Sequence, residues 1–323
     1  MSKPVLFVTG LGKEIERAEN LVALFDGYPG EKKIMSTHDK GFYAEATSGK
    51  YDTLIIDIFP TEHVCKNVIM MWHAIQGGKH IGLDERGTYY QEEYAKNMDY
   101  IIAAGGGGID MFNQCTHVPR ERIIDLGMPR TDRYKRKKKG DGHTILADKR
   151  GYLFAPTYRA WRDTPMPCIN WDLIDERLTD DEIMVLKAHP YGGIYLPRRY
   201  KHIVEVSEKE PSVNYLYDAD VVITDYSSIM FDAYLLKKPV VLFEKNPGYT
   251  ETRGMYLEYP QQYCSRYCMT EQGLLVLIRK AKWLRTAEKR CLEYVADACD
   301  GHSIERIVEF IKEVNGDERT ALV

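Results

Sequence analysis

Hydrophobic positions along this chain follow two alternating rhythms. Short, continuous, β-branched runs mark parallel strands buried on both faces, and between them apolar residues recur at helical spacing. In the first half the runs are VLFVT, TLIIDIF (53–59), NVIMMWHA (67–74, ending at His73), YIIAA (100–104) and RIIDLGMP (122–129). An amphipathic helix follows the first of them after a glycine turn. In the second half they are YLFAPTYR (152–159), EIMVLKAHP (182–190), HIVEV, DVVIT (220–224) and VVLF, with WDLIDERLTD and IMFDAYLLKK reading as helices. Two long helices, GLLVLIRKAKWLRTAEKRCLEYVAD and HSIERIVEFIKEVNG, close the chain. This alternation predicts an α/β protein with parallel sheets in two halves, 1–140 and 141–323.

The stretch at 219–243, ADVVITDYSSIMFDAYLLKKPVVLF, is the densest in signal: strand, polar corner, helix, strand. Two lysines end the helix, where positive charge is favourable, and Pro239 stops it. The corner places two serine hydroxyls and free backbone N–H groups at a helix N-terminus, beyond the carboxyl end of a parallel strand. In open α/β sheets ligands bind there, and a helix N-terminus suits phosphate.

Composition narrows the class without naming a function. The 323 residues are 44% hydrophobic and 28% charged, with a net charge of -4, which excludes a nucleic-acid binder by overall charge. The basic run RTDRYKRKKKG (130–140) reads either as a solvated interdomain linker or as a surface for anionic lipid or a polyanionic substrate. Seven cysteines without framework spacing are expected to be free thiols in a reducing compartment. No apolar run reaches the ~18 residues of a membrane span and no signal peptide is read, so membrane contact is expected to be peripheral. No HExxH, no carboxylate pair at metal spacing and no DxD-like patch calls for a metal. GLG after the first strand lacks the full dinucleotide fingerprint and reads as a tight βα turn. GGGGID (105–110) fits either a phosphate cradle or the close passage of another chain segment.

Candidate chemistry gathers at strand ends. His73 and His189 occupy comparable places in the two halves; one imidazole can accept a proton from a hydroxyl nucleophile while the other contacts a phosphate oxygen. Ser227 and Ser228 can cap a helix or bind a pyrophosphate. Asp225 and Asp232 cannot both touch a dianion, so ribose hydroxyls or helix support suit at least one of them. Arg159 and Arg253 are candidate counter-charges, since a fork of donors matches phosphate oxygens. Each position also has a plain structural reading, as a hydrogen-bonded loop residue or an ordinary Asp/Ser cap.

Several motifs together carry a family resemblance: WHA at 72–74, LGMPRTD at 126–132, FAPTYR at 154–159, KAHP at 187–190, the block at 220–243, and RGMY at 253–256. In these the sequence resembles the CDP-glycerol:glycerophosphate glycerophosphotransferases, the teichoic-acid primases and polymerases of bacteria. The resemblance implies a GT-B-like architecture, with the active site between two Rossmann-like domains and the last helices crossing back. It implies transfer of polyol phosphate from CDP-glycerol or CDP-ribitol to an acceptor hydroxyl on a glycan or polyprenyl-linked saccharide, with CMP released and without a metal. It implies an acceptor-side first domain, a CDP-donor-binding second domain, and work in the cytoplasm with peripheral contact at the inner membrane face. Carried onto this chain, it makes His73 the base and His189 a contact to the donor phosphates, and it places Ser227, Ser228 and Asp232 in the donor site with Arg159 and Arg253 as supporting charges. The alternatives are a GT-B glycosyltransferase using a nucleotide sugar, a nucleotide-dependent oxidoreductase and a noncatalytic nucleotide- or glycan-binding module.

Overall fold

The structure, a computed structural model, describes residues 3–78, 80, 95–157, 168–189, 194–207, 209–245 and 254–316. Two compact units divide the chain: unit 1 comprises residues 1–76, 81–134 and 294–323, and unit 2 comprises 77–80 and 135–293.

Unit 1 is built on six parallel strands: β1 (Val5–Thr9), β2 (Lys32–Ser36), β3 (Thr53–Ile56), β4 (Asn67–Met71), β5 (Tyr100–Ala103) and β6 (Ile123–Asp125). Their order is β2-β1-β3-β4-β5-β6, so the chain reverses its direction of winding between β1 and β3. Phe7, Ile55, Ile69 and Ile102 bury one face of the sheet against Leu21 and Leu24 of α1 (Glu19–Gly27). The same core takes in Ile307, Val308 and Ile311 of the last helix, Ser303–Asn315. Asp132 caps that helix, accepting from the backbone N–H groups of Ser303 (3.0 Å) and Ile304 (2.8 Å).

Unit 2 repeats the plan with β7 (Arg150–Phe154), β8 (Glu182–Lys187), β9 (Ile203–Val206), β10 (Val221–Thr224), β11 (Val240–Phe243) and the short β12 (Tyr267–Cys268). The order is β12-β11-β10-β7-β8-β9, again all parallel, with the reversal between β7 and β10. Tyr152, Phe154, Ile223 and Phe243 pack here against Trp171, Leu274 and Ile278. The α/β class expected from the hydrophobic rhythm, and the two Rossmann-like sheets that the resemblance implies, are therefore present.

The expected elements differ from the observed ones in instructive places. The fourth strand ends at Met71, two residues before His73, and the seventh at Phe154, before the APTYR motif. The edge strand Lys32–Ser36 was not legible as a strand, because two lysines and a half-buried pattern obscure it. The expected long helix over GLLVLIRKAKWLRTAEKRCLEYVAD is two helices, Glu271–Lys280 and Thr286–Val295. No glycine or proline marks the break. One longer-range and one local bond hold it: the Arg266 guanidinium donates to the Trp283 carbonyl, and Glu288 accepts from the Arg285 N–H, three residues earlier, at 2.6 Å. The basic run is not uniformly solvated, since Arg130, Thr131 and Tyr134 are buried in a 3-10 segment, Pro129–Arg136. Further on, Lys139 pairs with Asp220 at 2.6 Å.

Of the two readings of GGGGID, the geometry supports close passage. These glycines open the helix Gly106–Thr116, beside the returning segment at 294–297. A Cβ on Gly105 would stand 2.6 Å from Asp297 Oδ1 and 2.8 Å from the Ala296 backbone nitrogen, and one on Gly107 would stand 2.8 Å from the Tyr294 ring. Gly105→Ala is accordingly expected to destabilise the protein by about 1–3 kcal/mol, the usual cost of overpacking. Urea denaturation measures the loss, and a phosphate-cradle role would instead show as weaker nucleotide binding at unchanged stability.

Candidate functional site

In unit 2 the DYSS corner sits where the sheet reverses. Asp225, one residue past β10 and 1% exposed, accepts from the backbone N–H groups of Thr157 (2.8 Å) and Tyr226 (2.6 Å). Its carboxylate thus ties the chain leaving β7 to the turn leaving β10. Thr224 adds a second tie, donating its hydroxyl to the Ala155 carbonyl at 2.6 Å. Ser227 and Ser228 are half-buried in the turn, and Ser228 leads into the short helix Ile229–Leu235 without a side-chain cap bond. Asp232 lies in that helix, 4% exposed. Beneath the corner, Tyr226 and Tyr267 donate their hydroxyls to the two oxygens of buried Glu244. Burial and that carboxylate hold the Tyr226 hydroxyl far above the usual phenol range, so it stays protonated and serves as a fixed donor.

His189 lies two residues beyond β8, half-buried, and follows the buried Lys187 that ends the strand. Gly254 of the RGMY motif has φ +76 and accepts at its carbonyl from the His80 N–H (3.1 Å), while the Tyr256 N–H donates to the Gly78 carbonyl (3.0 Å). A Cβ on Gly254 would stand 2.6 Å from the His80 ring, which explains the glycine. Arg159 and Arg253 lie outside the described residues.

In unit 1, His73 is half-buried just past β4, its ring 4.4 Å from that of Trp72, which in turn lies 5.2 Å from Phe59. The Trp72 carbonyl accepts from Asn20 Nδ2 at 3.1 Å, and the His73 carbonyl accepts from Arg130.

Sequence reasoning passed over Asp57, which lies within the run TLIIDIF. It stands one residue past β3, 1% exposed, at the point where this sheet reverses. It accepts from the Thr9 hydroxyl and from the Gly10 N–H, each at 2.8 Å. The glycine turn after β1 is therefore held by a carboxylate, and a lone aspartate in an apolar run was its sequence signal. Burial pushes the Asp57 carboxyl up to about 6. Among the described residues no group of three or more His, Cys, Asp or Glu is placed to hold a metal ion, and no helix is long and apolar enough to cross a membrane.

Comparisons with known proteins give these sites a family context. The profile described as CDP-Glycerol:Poly(glycerophosphate) glycerophosphotransferase matches residues 55–313. The teichoic acid poly(ribitol-phosphate) polymerase of Bacillus spizizenii is 25% identical over 80% of this chain and 46% of its own length. The teichoic acid glycerol-phosphate transferase of Staphylococcus aureus is 27% identical over 60% of this chain and 57% of its own length. The chain thus spans about half the length of these curated relatives. Among solved structures, the wall teichoic acid polymerase TagF superposes with a TM-score of 0.74 at 17% identity, covering 98% of this chain and 90% of that one. That likeness shows the fold, with two Rossmann-like units.

Asp57 yields a pH prediction. Its carboxyl holds a proton more tightly folded than unfolded, so its contribution to stability is full below pH 3.8 and is lost as pH rises through about 6. The stability of the native protein relative to Asp57→Asn is expected to fall by up to about 3 kcal/mol between about pH 4 and pH 6.5, read from denaturation midpoints.

Proposed function

The chain belongs to the CDP-glycerol:poly(glycerophosphate) glycerophosphotransferase family, and from that premise we propose that it transfers glycerol phosphate, or a related polyol phosphate, from a CDP-polyol to an acceptor hydroxyl. The observation that carries this reading is the DYSS corner. It lies at the switch point of a parallel sheet, its backbone is held by buried Asp225, and its Ser228 hydroxyl is not engaged as a helix cap. The residues from 141 onward form the donor side, with Ser227, Ser228, Asp232 and His189 around the diphosphate and Arg159 and Arg253 as supporting charges. Asp225 serves them by fixing the turn.

In the proposed mechanism His73 takes the proton from the acceptor hydroxyl. The oxygen attacks the phosphorus that bears the polyol. The bond from that phosphorus to the oxygen bridging to the cytidine phosphate breaks, and CMP leaves with the bridging oxygen. Serine hydroxyls, backbone N–H groups and His189 offset the charge that develops on the phosphate oxygens. No metal ion enters this scheme. The acceptor is a glycan or polyprenyl-linked saccharide reached from the cytoplasmic membrane face, which the chain meets peripherally.

His73→Ala is expected to lower CMP release from CDP-glycerol by about 10²–10⁴-fold, the range for loss of a general base. Near-normal turnover by the folded variant removes His73 from that role. A donor screen with product masses tests the reaction itself: CMP from CDP-glycerol or CDP-ribitol supports it, whereas UDP from a UDP-sugar replaces it with glycosyl transfer. Nucleotide binding without turnover on any acceptor would make the chain a binding module.

A further inference from the structure

We propose that Asn20 and Arg130 are positioning residues for His73, acting as a two-point clamp on consecutive backbone carbonyls; the proposal rests on the reading of His73 as the base. The need for a clamp follows from where β4 stops. Its last ladder pair is Met71 with Ile102, so Trp72 and His73 lie beyond the hydrogen bonds that hold the strand. A base carried on such a segment swings with its own peptide unless something else fixes it.

Two buried side chains do so. Asn20, in the first turn of α1 and 1% exposed, donates Nδ2 to the Trp72 carbonyl at 3.1 Å. Arg130, 7% exposed, donates Nη1 to the His73 carbonyl. The clamp is cross-linked, because the Arg130 backbone N–H donates to Asn20 Oδ1 at 3.2 Å. Glu19, the neighbour of Asn20, faces Arg130 Nε with its Oε2 at 4.0 Å. Fixing two successive carbonyls fixes the peptide planes on either side of the His73 Cα, and with them the direction in which the imidazole leaves the backbone. The Trp72 ring, 4.4 Å from that imidazole, then limits its rotation.

Packing alone does not explain an arginine here. A buried guanidinium is costly unless well paired, and a hydrophobic residue of similar volume fills such a space at no electrostatic cost. The planar fork can address the Glu19 carboxylate and the His73 carbonyl together. This gives LGMPRTD a division of labour. Gly127, at φ +84, lets the Ala298 carbonyl pass where a Cβ would stand 2.4 Å away; Arg130 holds the His73 peptide; Asp132 caps the last helix.

A double-mutant cycle on the full chain tests the clamp, with CMP release measured from CDP-glycerol and a polyprenyl-linked saccharide as acceptor. Arg130→Met is expected to lower kcat by about 10–100-fold, the scale of an ångström-sized misplacement, with KM for CDP-glycerol within about threefold. Arg130→Lys, which retains a donor and the charge, is expected to restore kcat to within about fivefold of the native value. In the His73→Ala background, Arg130→Met is expected to change residual CMP release by less than about twofold, because nothing remains to be positioned. An equal loss in both backgrounds, an unchanged kcat, or a loss confined to KM overturns the clamp while leaving His73 as the base. Near-native turnover by His73→Ala alone overturns the base reading, and the clamp with it. Thermal melting accompanies each variant; if Arg130→Met unfolds, Asn20→Ala, which removes the other point of the clamp, replaces it in the cycle and must lose kcat only where His73 is present.

Discussion

A buried aspartate at the reversal of each sheet is the constraint on which this structure turns. Parallel sheets leave a crevice where the winding changes direction, and there the strand ends have no common neighbour to hold them. Asp225 bridges the chain after β7 to the turn after β10, and Asp57 bridges the end of β1 to β3. Both stand one residue beyond a fully buried strand, and both accept two hydrogen bonds. Such a carboxylate fixes backbone at the position where an α/β protein meets its ligand. It also explains why a corner rich in polar side chains can remain well defined beside a continuous apolar core.

The two units differ in what surrounds that brace. Below Asp225, three tyrosines and Glu244 form an aromatic floor, with the Tyr259 ring 5.1 Å from Tyr226 and edge-on to Tyr267 at 6.2 Å. Around Asp57, a threonine hydroxyl and backbone N–H groups meet the carboxylate, and burial outweighs them, which is why its proton is held so tightly. In unit 1 order at the strand ends comes instead from the segment at 126–132 and the last helix, through Asp132, Arg130 and the close approach at Gly127. Of the glycines that look like a ligand loop in sequence, Gly105 and Gly107 are the room required by the returning chain.

Much of this architecture was legible. Continuous β-branched runs identify strands buried on both faces, and Pro239 and the paired lysines place the end of the helix after DYSS close to where it stops, at Leu235. Strand ends read from apolar character alone ran too long at WHA and APTYR, because hydrophobicity continues past the last ladder bond. The break at 281–285 carries no glycine or proline; its local signal is Glu288 three residues after Arg285, and the Arg266 bond to the Trp283 carbonyl comes from outside the segment.

By itself, the sequence determined the fold class, the two-sheet plan and the family, because these depend on local periodicity and on motif identity. Only the tertiary structure decided which polar residues hold the frame and which stand clear of it. Asp225 and Asp57 read in sequence as one more corner residue and one more strand residue. Their roles come from partners 68 and 47 or more positions away in the chain, and no local pattern encodes a hydrogen bond of that reach.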